Sequence, residues 1–217
     1  MKNILLILFS AITFFNGCEK SNEDKVSEMI QDKIEQSCLI FSYKPISTEI
    51  DSAFLNLDNI SRIEEISMDL LKLLSTEKQL TSQLGYSIKK NQLDEIDSRL
   101  KKVREKIAKG VIDLKGYVAN VYTKEQTSWI VYHKFMSEKN ENSLKLYDEV
   151  VFLFDKDFTY CNNGMKITQF EGLLKFYEDI SKAETQDQII ERLLDYYSTN
   201  EDIDFDLRFE LFDNLIG

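Results

Sequence analysis

The chain has 217 residues with one Pro, seven Gly and a net charge of −11, and so few helix breakers argue against a long disordered linker or a turn-dense all-β domain and for a protein built largely of helices. Non-specific nucleic-acid affinity comes from Lys and Arg releasing counterions, so an anionic chain of this kind is not expected to bind DNA or RNA. A basic partner, a cation or simple solubility are the roles left for the charge.

Met1, Lys2 and Asn3 precede an almost unbroken apolar stretch from Ile4 to Phe15, which Asn16, Gly17 and Cys18 close. A positive charge, about a dozen apolar residues and a small residue at the end are the three parts of a secretory signal. The stretch is too short to span a bilayer, for which about twenty apolar residues are needed. It also has no polar face, so a folded domain would have to bury it whole. Gly17-Cys18 resembles the bacterial lipobox, in which the cysteine is acylated and becomes the new N-terminus. Phe15 and Asn16 depart from the Leu and small residue preferred there. The resemblance implies a signal peptide over residues 1–17 and lipid on Cys18. Each buried methylene is worth about 0.8 kcal/mol, and the two or more chains of such a cysteine suffice for stable anchoring. Without residues 1–17 the chain keeps 200 residues, one or two domains' worth, and its charge is −12 because Lys2 is the only charged residue removed. Residues 18–24 read as an acidic tether. Its Glu19, Glu23 and Asp24 look like the export signal of some surface lipoproteins of the Bacteroidota and equally suit a solvated linker. The protein is therefore expected in the cell envelope, lipid-anchored at the outer membrane, on its inner or its surface-exposed side.

Ser21 and Asp24 have the spacing of a capping box, with Val26, Met29, Ile30 and Ile34 at helical intervals behind it, which predicts a helix from about Glu23 to Ser37. Beyond it, Ile46, Thr48 and Ile50 alternate with Ser47 and Glu49 after the only proline, so Phe41–Asp51 is expected extended with a strand near Ile46–Ile50. Ile63, Ile66, Leu70, Leu73, Leu80 and Leu84 form one heptad stripe. A second runs through Leu93, Ile96, Leu100, Val103, Ile107 and Leu114, with Gly110 in a core slot. The phase breaks between Gly85 and Asn91. Two matching stripes of similar length predict an antiparallel helical hairpin at about 60–115, the rival being one long helix that dimerises. Tyr86 at the tip is the large apolar residue a partner would use.

After Lys115 the period drops toward two. Gly116–Tyr122, Trp129–Phe135 and Leu144–Phe154 are rich in aromatic and β-branched residues and predict an antiparallel meander, with Ser137–Ser143 as a polar turn. Trp129, Val131, His133 and Phe135 would share one face. Helical stripes return in Phe170, Leu173, Leu174, Tyr177 and Ile180. Ile189, Ile190, Leu193, Leu194 and Tyr197 form the next, behind a Thr185-to-Gln188 capping box, and Phe205, Phe209, Phe212 and Ile216 come last. The expected fold is α+β and mostly helical: a small antiparallel sheet and long helical hairpin over 25–160, then a C-terminal helical segment over 161–217.

Ser42-Tyr43-Lys44-Pro45-Ile46 with Ile50-Asp51-Ser52-Ala53-Phe54, then Trp129 to Phe135, then Asp148 to Asp157 resemble the corresponding stretches of uncharacterised Bacteroidota-type lipoproteins. These share a lipid anchor, a short helix, a strand, a helical-hairpin insertion and a closing β-hairpin. The resemblance covers roughly residues 18–160, brings no activity with it and leaves Asn162–Gly217 outside.

Beyond Cys18, Cys38 and Cys161 are the only cysteines. In an oxidising envelope they allow one disulfide, worth about 3–5 kcal/mol for so long a loop; two buried thiols are the other reading. His133 is the only histidine, which excludes a multi-histidine metal site, and any Ser-His-acid triad would have to use it. No Gly-x-Ser-x-Gly elbow supplies the nucleophile, and His133 reads as a sheet residue. Asp155-Lys156-Asp157 begins like a calcium loop but has Tyr160 where Gly is required, which favours a turn after a strand. Asp202, Asp204, Asp206 and Asp213 have loop spacing with Leu207 in the glycine's place, and acids at a helix start explain them as well. No phosphate-cradling loop is present, and nothing singles out two of the 38 carboxylates for glycoside hydrolysis. No metal or cofactor is expected. The sequence points to a non-catalytic envelope protein that binds another protein, ahead of an immunity-type inhibitor of a basic toxin or a hydrolase of surface glycans.

Overall fold

The computed structural model describes residues 21–37, 42–86, 90–138, 145–162 and 164–199. Helix α1 (Asn22–Ser37) begins where Ser21 and Asp24 cap each other. The Asp24 amide donates to Ser21 Oγ at 3.2 Å, and the Ser21 amide donates to the Asp24 carboxylate at 3.3 Å, so a short acid does the work of the usual Glu. Strand β1 (Ser42–Ala53) comes next, then α2 (Leu57–Tyr86), α3 (Lys90–Ala119), β2 (Ser128–Glu138), β3 (Leu146–Asp155), β4 (Met165–Lys166), α4 (Ile167–Lys182) and α5 (Gln186–Thr199). The architecture is mostly helical α+β, as expected.

The four strands form one antiparallel sheet in the order β1-β2-β3-β4. Strand β1 is longer than the Ile46–Ile50 core the alternation predicts, because β2 pairs with it from Ser42 to Ala53. The register slips between Pro45 and Ser47 and leaves Ile46 as the extra residue of a bulge. A proline and a bulge both suit an edge strand, since Pro45 has no N–H to donate and the bulge turns the edge away from further pairing.

Alternation gives the sheet two faces. On the first, Val131, Phe135, Phe152 and Phe154 pack with Val26, Ile30 and Ile34 of α1 and with Phe158 and Cys161 of the turn after β3. The predicted face of β2 is therefore covered, by α1. On the second, Ala53, Val151 and Leu153 meet Phe170 of α4, with Leu57 and Ile60 of α2 packed against them.

Helices α2 and α3 are the predicted hairpin, each 30 residues and thus about 45 Å long. Ile63, Leu70, Leu71 and Leu74 of α2 share a core with Ile107, Val111, Leu114 and Val118 of α3. At Gly110 a Cβ would lie 2.8 Å from Leu70 Cδ2, so the missing side chain is what lets the helices close there. The base of the hairpin is tied to the sheet: the Asn56 amide donates to the Val121 carbonyl, and Ser128 Oγ donates to the Leu55 carbonyl.

The expected strand over Gly116–Tyr122 is corrected. Helix α3 continues to Ala119, and only Tyr122 makes an isolated bridge, to Leu55. Its aromatic and β-branched residues favour a strand locally, but Leu114, Val118 and Val121 also continue the helical stripe into the hairpin core, and tertiary burial outweighs a propensity difference of about 1 kcal/mol. The C-terminal helices share that core: Phe176, Tyr177 and Ile180 of α4 and Ile189 and Leu193 of α5 are among its members. The division at residue 160 thus crosses one continuous packing unit. Thr185 and Gln188 cap α5 as predicted, the Gln188 amide donating to Thr185 Oγ1 and the Thr185 amide to the Gln188 side chain.

Candidate functional site

Among the described residues an open concavity lies beside the hairpin. A groove of about 740 Å³ is walled by Glu77 of α2, by α3 from Asp97 to Ala108 and by the first turns of α5. Its apolar floor is Leu100, Ile107, Ala108 and Ile190, and its rim carries Asp97, Lys101, Glu105 and Asp187. Arg104 Nε sits 2.6 Å from the Glu77 carboxylate and joins α2 to α3 across the groove. Stripe periodicity places Leu100 and Ile107 on the core side of α3, where both are buried, so the groove runs over the seam between α3 and the first turns of α5. Rim charges of both signs above an apolar floor suit a polypeptide. None of the residues singled out from the sequence as candidate contacts or ligands lines this groove. The signal that points to it is the charge density of Lys101 to Glu105, which reads in isolation as a solvated helix face.

Tyr86, the predicted contact, is the last residue of α2; its side chain lies outside the described residues. Along the helix axes the groove opens about 10–14 Å below that tip, since Glu77 and Asp97 are nine and seven residues from the helix ends.

His133 is 2% exposed and holds a different kind of site. Its Nε2 is 2.7 Å from Tyr43 Oη and its Nδ1 is 2.9 Å from Thr48 Oγ1. A neutral imidazole donates at one nitrogen and accepts at the other, and two hydroxyls can satisfy either tautomer. Burial lowers the His133 pKa below 6.5. Burial, helped by the nearby Glu35 carboxylate, raises that of Tyr43 to about 12, so ring and phenol are both neutral near pH 7. A hydrolytic triad puts an acid on Nδ1 and the nucleophile on Nε2; here Thr48 holds the first place and Tyr43 the second. Tyr43 and Thr48 flank the β1 bulge, so the histidine clamps both sides of it from β2. The expectation of a sheet residue is met, with a specific structural task.

Asp155 ends β3 in the expected turn. Its carboxylate accepts from the amides of Thr159 and Tyr160 at 2.7 and 3.0 Å and from the Thr159 hydroxyl. These bonds hold its carboxyl below the usual value despite some burial. Phe158, at φ 55°, stacks on Trp129 at 5.3 Å, which accounts for a large residue in left-handed backbone. Cys161 carries a buried free thiol, whose pKa burial raises. Cys18, Cys38 and the acidic run Asp202–Asp213 lie outside the described residues. Among the described residues no helix is long and apolar enough to cross a membrane.

No protein-family model, no curated protein and no solved structure matches this chain.

Proposed function

We propose that the protein is a lipid-anchored lipoprotein of the bacterial envelope that holds another protein without acting on it chemically. The observation that carries the reading is the apolar run Ile4–Phe15 closed by Gly17-Cys18, directly ahead of a fold whose first helix is capped at Ser21. Leader, lipidation cysteine and folded domain then succeed one another with a tether of about 10 Å at most. The resemblance to Bacteroidota-type lipoproteins over residues 18–160 supports the same placement. The groove of α2, α3 and α5, with Tyr86 at the tip above it, supplies the contact surface.

The test is metabolic labelling of cells with an alkyne fatty acid, then capture of the wild type and of Cys18→Ala, with protease added to half of the intact cells. Label on the wild type that is lost in the variant is the expected result, and degradation on whole cells would place the protein outermost. Absence of label from the wild type would sink the anchor. The contact is tested separately, by photo-crosslinking residues at Tyr86 and Lys101: a shared adduct lost on Ile190→Asp supports the groove, whereas an unaffected adduct removes it.

A further inference from the structure

Basic residues are concentrated on one helix of this acidic chain. Arg99–Lys109 holds six of the 27 Lys and Arg, with Glu105 as the single acid among them, and all six are exposed. Arg104 is paired with Glu77, and Lys101 sits on the rim of the groove. The other four, Arg99, Lys102, Lys106 and Lys109, follow at intervals of three, four and three residues. That spacing lines them up along one flank of α3, about 15 Å from end to end. None of the four makes an ion pair among the described residues. Like charges three and four residues apart weaken a helix, so the stability of α3 does not account for the stripe.

Helix α1 carries the opposite pattern. Val26, Ile30 and Ile34 pack on the sheet, and Asp24, Glu28, Asp32 and Glu35 stand together on the exposed side at intervals of four, four and three residues. The helix dipole and the cap explain Asp24 in the first turn, but not Glu35 near the last, where a cation is favoured and α1 has none. Counted back from Glu35, the acids lie 0, 3, 7 and 11 residues along, and counted forward from Arg99 the cations lie 0, 3, 7 and 10 residues along. Laid antiparallel, the two helices set Arg99 against Glu35, Lys102 against Asp32, Lys106 against Glu28 and Lys109 against Asp24, with a mismatch of about 1.5 Å at the last pair only. They do not meet this way within one chain. Helix α1 covers the first face of the sheet, whereas α3 shares its core with α2, α4 and α5, and it is α2 and α4 that lie on the second face.

We propose that copies of this chain associate with one another, the acidic side of α1 on one copy lying antiparallel along the basic flank of α3 on the next. The contact is heterologous, since a different surface is used on each side of it. The net charge of −11 opposes random encounters, but at about 0.15 M salt charges more than about 8 Å apart are largely screened, so the helices that face each other decide the outcome. Exposed ion pairs are individually weak, and four of them make a reversible, concentration-dependent contact that salt dissolves. The groove lies on another flank of α3, so this contact stands apart from the one proposed there.

The test is analytical ultracentrifugation of the chain from residue 18, carrying Cys18→Ala, over a range of protein concentrations. Its average mass is expected to rise with concentration at about 0.15 M salt and to return to that of the monomer at about 1 M, where the Debye length is about 3 Å. Two charge reversals are then compared, Glu28→Lys with Asp32→Lys on α1, and Lys102→Glu with Lys106→Glu on α3. Each alone is expected to stay monomeric, and an equimolar mixture of the two to associate again, because the reversed α1 of one then meets the reversed α3 of the other. Recovery in the mixture also shows that both variants are folded. A wild type that stays monomeric at every concentration would overturn the proposal, as would a mixture that fails to associate. Association that persists at about 1 M salt, or in either variant alone, would overturn it in favour of an apolar contact. Because the protein is unlipidated and no other protein is present, the result is independent of the anchor and of the groove.

Discussion

His133 shows how a lone titratable side chain can be tied to structure. Folding buries it and lowers its pKa below 6.5, so the unfolded chain binds the proton more readily than the folded one. Stability is then fully present above pH 6.5 and falls as the pH drops through that value toward the folded-state pKa. Melting temperatures at pH 7.5 and 5.5 should differ less in His133→Phe than in the wild type, whereas an identical difference would show that the ring does not titrate in this window. Tyr43→Phe removes the hydroxyl 2.7 Å from Nε2 and should cost about 1–3 kcal/mol, the penalty for a buried polar atom left without its partner. Tyr177 is the opposite case. It is buried with a hydroxyl that has no hydrogen-bond partner among the described residues, and burial raises its pKa. Removing an unsatisfied hydroxyl costs nothing in lost bonds, so Tyr177→Phe should stabilise by about 1 kcal/mol in urea unfolding; a loss of stability would mean that the hydroxyl is bonded.

The glycines discriminate between packing and propensity at the scale of an element. Gly116 lies within α3 with nothing within 4 Å of an added Cβ, while a Cβ at Gly164 would meet the ring of buried Phe152 at 2.7 Å. Gly116→Ala is thus expected to stabilise by about 1 kcal/mol through helix propensity, and Gly164→Ala to destabilise by about 1–3 kcal/mol through overpacking. Opposite shifts in the urea midpoint would bear this out, and equal shifts would refute the contact at Gly164. The same contrast explains what the sequence discloses. Heptad stripes announce α2 and α3 because burial repeats on one face for eight turns, and Gly110 is legible as a core slot for the same reason. Residues 116–119 are misleading because Tyr117 and Val118 satisfy strand propensity while their neighbours Leu114 and Val121 obey the helix. The histidine clamp is hidden in the sequence because Tyr43 and His133 meet only once the register and the bulge are known. The groove is hidden because three helices must be placed before its floor exists.

For the molecule as a whole, the helical cores are continuous from α2 to α5, while the sheet is roofed on one face by α1 and on half of the other by α2 and α4. Among the described residues no helix is long and apolar enough to cross a bilayer, and a chain of charge −11 has little electrostatic attraction to anionic lipid. If Cys18 carries lipid as proposed, membrane retention draws on acyl chains, which salt does not screen, whereas a surface held by charge is released when the Debye length shrinks to about 3 Å at 1 M salt. The protein is accordingly expected to stay with membranes through a 1 M salt wash. The informative control is not Cys18→Ala alone, since that precursor could keep its apolar leader and partition by it. With the leader replaced by a cleavable one from a freely secreted protein, the Cys18→Ala chain should appear in the soluble fraction at full length from residue 18. Retention of that chain on washed membranes would show that a surface of the folded domain, and not the lipid, holds it there.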